Sequence, residues 1–513
     1  MGIGLGSLVS VAYPSRITNR GILVRSVSRG LVALGVLLVA GGGYLTADVY
    51  DLVPGMFTLD RAPSQSGTPI LPAATQTASS SGMVTGVPIP SVAGFVAAPL
   101  LALADEAPVP TKAGLAAALA RALADSGLGS SVGLTVRDAH TGAHLLDVSS
   151  QVPRTPASTV KLLTATAIAT TLDPALTFST RAVRGASAGH ITDVILVAGG
   201  DTLLSPGKGN PLAVAGRAGL VDLAEQTSQA LKTQGITSVR LRIDERYAAG
   251  PRYAPGWLPA DISQGLTGPV AMLGLSTQQP RPGTSAFTDP ALSTAQAFRT
   301  ALAAHGVTVA PAIDWAASPK GARELGVVRS APLADVLALA LSNSDNALTE
   351  SLARQAAHKA GRSTSFAAVA AWVKITVEAK GIHTEGVTLI DTSGLTRGTL
   401  VTARALGDVL VLAAGGKDPA LQQIVAQLPV AGLSGTLADR FLTGSAHSAA
   451  GVVRAKTGTL TGASALAGTV VDRDGRLLTF AILADRIPSG VGTLTARAAL
   501  DRFVATLASC GCG

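Results

Sequence analysis

Ser158 and Lys161 stand three residues apart in Pro156-Ala157-Ser158-Thr159-Val160-Lys161-Leu162-Leu163-Thr164. Pro156 suits the first turn of a helix, where its missing N–H costs nothing. Residues 160–172 are mostly apolar and contain no Gly or Pro, which predicts a buried helix. Positions i and i+3 share a helix face, so Ser158 and Lys161 would meet at its N-terminus. A serine there can act as a nucleophile, and a neutral lysine can take its proton. Lysine is neutral near pH 7 only if burial or a nearby cation lowers its pKa. The pair therefore predicts a second basic group close in space.

Taken alone, Ser-x-x-Lys is weak, and its bland reading is a solvated helix start. The chain carries a decoy, Ser205-Pro206-Gly207-Lys208, in which Pro and Gly mark a turn. Two further groups change the balance. Ser344-Asp345-Asn346 lies between helical patterns at 333–341 and 347–357, where a short loop can turn Ser344 and Asn346 inward. By itself it reads as an ordinary N-cap. Lys456-Thr457-Gly458-Thr459 follows an apolar run and precedes a hairpin, so it reads as an edge strand lining a cleft. Gly458 would let a ligand backbone approach closely. By itself this is a surface lysine at a strand end. The three groups together supply a nucleophile, a base, a hydroxyl, an amide and the second cation, Lys456.

The elements that must position them are legible in outline. Residues 115–124 read as a helix, and 132–137 and 143–148 as strands around a turn at 138–142. Near the C-terminus, strands 464–471 and 477–484 flank Asp472-Arg473-Asp474-Gly475, and 493–507 forms an amphipathic helix. Strands near both ends predict one antiparallel sheet built from both termini. Between them, strand-like runs at 194–197 and 239–243 alternate with helices at 221–232 and 292–304. Residues 178–322 are thus expected to be an insertion of one or two subdomains, without a catalytic constellation of its own. The catalytic domain is then 112–177 together with 323–513.

Composition narrows the class. With 47% hydrophobic and only 3% aromatic residues, the core must be built mostly from Ala, Val and Leu. The net charge is +8, but the basic residues are scattered, which argues against nucleic-acid binding. The two cysteines, Cys510 and Cys512, leave the body without a disulfide framework and lie outside any His or acidic cluster, so no metal site is expected. They read as a feature of the tail. The seven histidines lack ligand spacing. Arg16, Arg20, Arg25 and Arg29 lie in a basic segment, 1–29, ahead of an uncharged stretch at 30–47. This is the pattern of an export signal or an inside-anchored helix. Its 18 residues span roughly 27 Å, just short of the usual bilayer core. A Pro-, Ala- and Ser-rich tether fills 48–111. The expected location is therefore extracytoplasmic, in the cell envelope, either secreted or attached to the cytoplasmic membrane.

The Ser-x-x-Lys, Ser-x-Asn and Lys-Thr-Gly trio, in this order, is the signature of penicillin-binding proteins and class A β-lactamases. The body resembles the penicillin-binding D-alanyl-D-alanine carboxypeptidase/endopeptidases of the type-4, class C group. The likeness covers roughly residues 110–508. It is carried by the segment around Ser158, by Gly199-Gly200-Asp201 to Ser205, and by Gly250-Pro251-Arg252-Tyr253-Ala254-Pro255-Gly256-Trp257. Asp391-Thr392-Ser393-Gly394-Leu395, Leu428-Pro429-Val430-Ala431-Gly432 and Arg454 to Gly462 complete it. The wide separation of Ser158 from Ser344 matches the large insertion that distinguishes this group.

The resemblance implies an α/β (α+β) fold: a β-lactamase/transpeptidase-like domain with an antiparallel sheet flanked by helices. It implies that Ser158 attacks the D-alanyl-D-alanine carbonyl of peptidoglycan stem peptides, or the cross-link amide, with Lys161 as base. Ser344 would relay a proton to the leaving amine, with Lys456 tuning it electrostatically, and Asn346 would hold the substrate amide and position Lys161. The N–H groups of Ser158 and Thr459 would form the oxyanion hole. Thr457 and Thr459, flanking Gly458, would bind the terminal carboxylate. No metal or organic cofactor is implied, and β-lactam antibiotics would be inhibitors that acylate Ser158. Two rivals use the same residues. A β-lactamase would need a dedicated deacylation carboxylate, for which no signature is present. A non-enzymatic wall-binding protein with an inactive site sits badly with an intact trio.

Overall fold

The computed structural model describes residues 107–416 and 418–512. The basic segment 1–29, the apolar stretch 30–47 and the tether as far as residue 106 lie outside the described residues. Among the described residues, no helix is long and apolar enough to cross a membrane.

Eleven strands are described: β1 (Ser131–Asp138), β2 (His144–Val148), β3 (Thr177–Ala188), β4 (Ile191–Val197), β5 (Ser238–Asp244), β6 (Thr308–Val309), β7 (Asp314–Trp315), β8 (Glu324–Pro332), β9 (Val453–Leu460), β10 (Ala463–Val471) and β11 (Leu477–Asp485). Five of them form an antiparallel sheet in the order β2-β1-β11-β10-β9. The first and last parts of the folded region thus share one sheet, as their hairpin patterns predict.

The two faces of this sheet differ in side-chain size. Ala465, Ala467, Ala481 and Leu483 face a core shared with the Lys161–Ala169 helix. Leu134, Val136, Leu466, Phe480 and Ile482 face the Lys112–Leu123 and Thr493–Ala508 helices. Small residues on the first face let the Lys161 helix pack close to the sheet. β11 is buried along its whole length, as a central strand covered on both faces must be. The first core also takes the Leu333–Ser342, Asn346–Lys359, Phe366–Glu378 and Ala403–Ala414 helices, largely through Ala, Leu and Val.

The intervening region builds a single mixed sheet in the order β6-β5-β4-β3-β8, with β7 also on β5. The Leu220–Lys232 and Pro290–Ala304 helices pack on it through Leu223, Leu231, Phe298 and Leu302. The sequence boundary at 322/323 falls one element early. β8 (Glu324–Pro332) pairs antiparallel with β3, so this sheet extends to Pro332. The reason is register: Val328 and Val327 meet Thr180 and Arg181 of a strand laid down some 150 residues earlier, a partner that local patterning does not reveal.

The tail is tied to the start of the fold. Cys510 and Cys512 are joined in a disulfide, and Cys510 is buried in the core beneath the Thr493–Ala508 helix. The Cys512 carbonyl accepts bonds from the Thr111 N–H at 2.8 Å and the Thr111 hydroxyl at 3.1 Å. Thr111 is in turn the N-cap of the first helix. The bonded pair therefore shapes a tail that holds the start of the fold.

Candidate active site

Ser158 lies in a 3₁₀ turn, Ala157–Val160, and the α-helix begins only at Lys161. The expected continuous helix to residue 172 is shorter. It ends at Ala169, where Thr170 and Thr171 hydroxyls bond back to the carbonyls of Thr166 and Ala167. The tight first turn matters, because residues i and i+3 eclipse in a 3₁₀ helix. Lys161 Nζ accordingly reaches Ser158 Oγ at 2.9 Å. Ala157, just before the nucleophile candidate, has φ +46°, a left-handed conformation that non-glycine residues seldom adopt.

Ser344 is also left-handed, with φ +56°. The capping role suggested for this segment falls to Asp345, whose carboxylate accepts the Leu348 N–H at 2.9 Å. Ser344 and Asn346 are thereby left to face the Ser158–Lys161 pair. Asn346 Oδ1 accepts from Lys161 at 2.5 Å, and its Nδ2 donates to the Leu266 carbonyl at 2.7 Å. Ser344 Oγ accepts from Lys456 Nζ at 2.8 Å.

Lys456 sits on the edge strand β9 directly opposite Ala467, on the small-residue face of the sheet. Its Nζ also donates to the Thr457 carbonyl at 2.9 Å. Thr457 Oγ1 donates to Thr436 Oγ1 at 2.9 Å. Gly458 has a different use from the one its sequence position suggests. A Cβ there would lie 2.5 Å from the Pro156 carbonyl, so the close approach is made by the chain's own Ser158 turn. Ser158, Ser344, Thr436, Thr457 and Thr459 line an open cleft of about 500 Å³, with Arg440 and Arg497 also on its wall.

Both lysines are fully buried. Burial pushes Lys161 down to about 8, against the opposing fields of Asp391, Glu350 and Asp345. Burial, and then the charge of Lys161, holds Lys456 well below the ordinary lysine value. The second cation demanded by the sequence is therefore present, but burial is what lowers Lys161, and the charge between the two lysines adds to burial at Lys456 instead. The rate of Ser158 acylation should follow the neutral fraction of Lys161. It should rise roughly tenfold per pH unit below about 8 and level off above it. Stopped-flow acylation by a chromogenic β-lactam across this range checks the profile, and a flat profile would exclude Lys161 as the base.

Two buried carboxylates complete the surroundings: Glu350, which the sequence did not single out, and Asp391, visible there only as the start of a motif. Glu350 accepts the N–H groups of Thr392 and Ser393 at 2.7 and 2.8 Å, and the Thr392 hydroxyl. Burial and the nearby Asp391 raise it to about 7. Asp391 accepts from Gly394 N, Thr396 N and the Trp257 indole N–H. These bonds fix the 391–396 loop so that the Ser393 carbonyl accepts from Lys161 at 2.7 Å. The run Asp391 to Leu395 was a visible motif, but its role depends on contacts 42 residues away at Glu350 and 134 residues away at Trp257. Trp257 and Leu266 both come from the inserted region, so that region supports the site.

Gly394 is the tightest point of the loop. Its φ is +81°, and a Cβ would come within 2.0 Å of the Ala157 carbonyl. Gly394→Ala should cost about 2–4 kcal/mol and slow acylation, because only backbone movement beside Ser158 relieves the clash. Thermal melting and the acylation rate measured together check this.

Comparison with known proteins identifies the family. The family model described as D-Ala-D-Ala carboxypeptidase 3 (S13) matches residues 115–286 and 274–507. Carboxypeptidase DacB of Mycolicibacterium smegmatis is 39% identical over 386 residues, covering 74% of this chain and 80% of that protein. Carboxypeptidase Rv3627c of Mycobacterium tuberculosis is 38% identical over 382 residues, with the same two coverages. The crystal structure of penicillin binding protein 4 (dacB) from Haemophilus influenzae superposes with a TM-score of 0.62 at 21% identity, covering 78% of this chain and 98% of that one. That likeness establishes a shared fold. With a family model running through nearly all of the folded region and relatives matched over most of their length, the chain belongs to the D-Ala-D-Ala carboxypeptidase 3 (S13) family.

Proposed function

We propose that the protein is a serine D-alanyl-D-alanine carboxypeptidase, and an endopeptidase on the equivalent cross-link amide, acting on peptidoglycan stem peptides through an acyl-enzyme on Ser158. The observation that carries this reading is the buried Lys161 Nζ, bonded at once to Ser158 Oγ, Asn346 Oδ1 and the Ser393 carbonyl. An amine held this way, with its pKa near 8, can accept the serine proton without leaving its place.

In this mechanism Ser158 Oγ attacks the carbonyl carbon between two D-alanines while Lys161 takes the hydroxyl proton. The N–H groups of Ser158 and Thr459 hold the oxyanion, where one donor is typically worth ~3 kcal/mol. Ser344 passes a proton to the leaving amine, with Lys456 fixing and polarising its oxygen at 2.8 Å. Asn346 keeps Lys161 aligned, and the Nδ2 hydrogen not given to Leu266 is available to the substrate amide. Thr457 and Thr459 take the terminal carboxylate. Gly458 lets β9 lie against the Ser158 turn. Water then releases the shortened peptide. A β-lactam follows the same first step and remains on Ser158. The apolar stretch 30–47, with its arginine flank, supports an envelope location, anchored or secreted.

Mass spectrometry of the chain after incubation with benzylpenicillin tests the reading. A stable adduct mapped to the peptide containing Ser158 is expected. Digestion of muropeptides then separates loss of a terminal D-alanine from cleavage of cross-links. An intact drug and no adduct would point to an inactive wall-binding protein. Consumption of the drug without an adduct would point to a β-lactamase.

A further inference from the structure

A second pocket, of about 220 Å³, is lined by Gln151, Pro153, His383, Glu385, Thr402 and Arg404. None of these residues takes part in the network around Ser158. The space equals about seven waters at ~30 Å³ each, too much for a single structural water. It lies at the start of the Ala403–Ala414 helix, with Pro153 on the segment that runs into the Ser158 turn. That segment is tied to the same helix start by paired backbone bonds between Arg154 and Val401, both 2.9 Å.

Three observations concern the charges in this pocket. Arg404 stands in the first turn of its helix, where the helix dipole disfavours a cation. Its Nε–H is buried and finds no hydrogen-bond partner among the described residues. Buried donors without partners are uncommon in native proteins and call for an explanation. Glu385 lines the same pocket, yet no ion pair joins the two among the described residues. His383 does not supply the missing acceptor for Arg404 either. Its Nδ1 faces Asp408 Oδ2 at 2.9 Å, and Asp408 is itself paired with Arg137. One pocket thus holds a cation and an anion with no ion pair between them among the described residues.

We propose that this pocket binds a free α-amino acid as its zwitterion, the carboxylate on Arg404 and the ammonium on Glu385. The source, which rests on the carboxypeptidase reading above, is the D-alanine that the reaction releases. A peptide C-terminus offers the carboxylate but has an amide in place of the ammonium, and so satisfies only half of the pocket.

The test uses the full chain acylated by benzylpenicillin, so that the catalytic cleft is blocked, titrated with D-alanine by calorimetry. Saturable binding in the millimolar range is expected, with Arg404→Gln weakening it at least ~10-fold. Glu385→Gln, and replacement of D-alanine by N-acetyl-D-alanine, should each weaken it about fivefold or more. Retained acylation by benzylpenicillin shows that each variant is folded. Absence of binding, or binding that survives Arg404→Gln, overturns the proposal. Equal binding of N-acetyl-D-alanine overturns the zwitterion and leaves a site for peptide carboxylates. If Arg404→Gln fails to fold, Glu385→Gln and the N-acetyl ligand still decide. If benzylpenicillin leaves no adduct, it is the carboxypeptidase reading that fails. The same titration of unacylated protein, compared with Arg404→Gln, then judges the pocket.

Discussion

Ser158→Ala is expected to form no benzylpenicillin adduct and to cleave D-alanyl-D-alanine peptides at least ~10⁴-fold more slowly than the parent chain. The side chain removed is small and only partly buried. Its hydroxyl accepts a single bond, from Lys161. Lys161 keeps its bonds to Asn346 and Ser393 after the change, so no buried acceptor is orphaned and the melting temperature should stay close to that of the parent. Intact-mass spectrometry, muropeptide digestion and a thermal melt check the three parts. An adduct on the variant would place the nucleophile elsewhere and remove the basis for every role assigned above.

Lys161→Met should lower the acylation rate by ~10³-fold and abolish its rise with pH. The folded pKa of Lys161, about 8, lies below its ordinary value of 10.5 because burial penalises the charged form. Below pH ~8 the amine is protonated in both states, and the folded state bears a cost of about 3 kcal/mol. Between roughly 8 and 10.5 the unfolded chain holds more protons, so stability rises with pH through that window. Methionine removes this pH-dependent gain. It also relieves the desolvation cost at neutral pH, but leaves Asn346 Oδ1 and the Ser393 carbonyl without their donor, at ~1–3 kcal/mol each. The opposing effects largely offset, so the variant should melt near the parent at pH 7 while its activity collapses. Melting across pH 7 to 10, beside acylation kinetics, checks both. A variant that keeps parental acylation would rule out Lys161 as the base.

The elements that carry Ser158, Asn346 and Lys456 were legible because each announces itself within a few residues. Runs bounded by turn residues gave β1, β10 and β11 to within a residue or two. The Asp472 to Gly475 turn placed their hairpin, and the absence of Gly and Pro marked the Lys161 helix. Where the reading slipped, a distant partner was in control. Gly458 looked open to a ligand because Pro156, which fills that space, is some three hundred residues away in the chain. β8 fell on the wrong side of a boundary because its partner β3 is equally invisible to local pattern. The cysteines read only as a feature of the tail, because nothing local reveals that the tail carbonyl meets Thr111, 401 residues earlier.

The sequence by itself determined which groups are present and their order: a serine with a lysine three residues on, a serine and an asparagine around one capping aspartate, and a lysine on an edge strand. It also determined that the pKa of Lys161 must be lowered, by burial or by a nearby cation, for it to act, since that requirement follows from the chemistry of an amine. Tertiary structure decided how the requirement is met. Lys161 reaches Asn346 across 185 residues and Lys456 reaches Ser344 across 112. Glu350 and Asp391, buried and bonded to one loop, aim the Ser393 carbonyl at the amine. The physical reason is that a pKa belongs to an environment. The sequence names the titrating group, and only the packed chain removes its water.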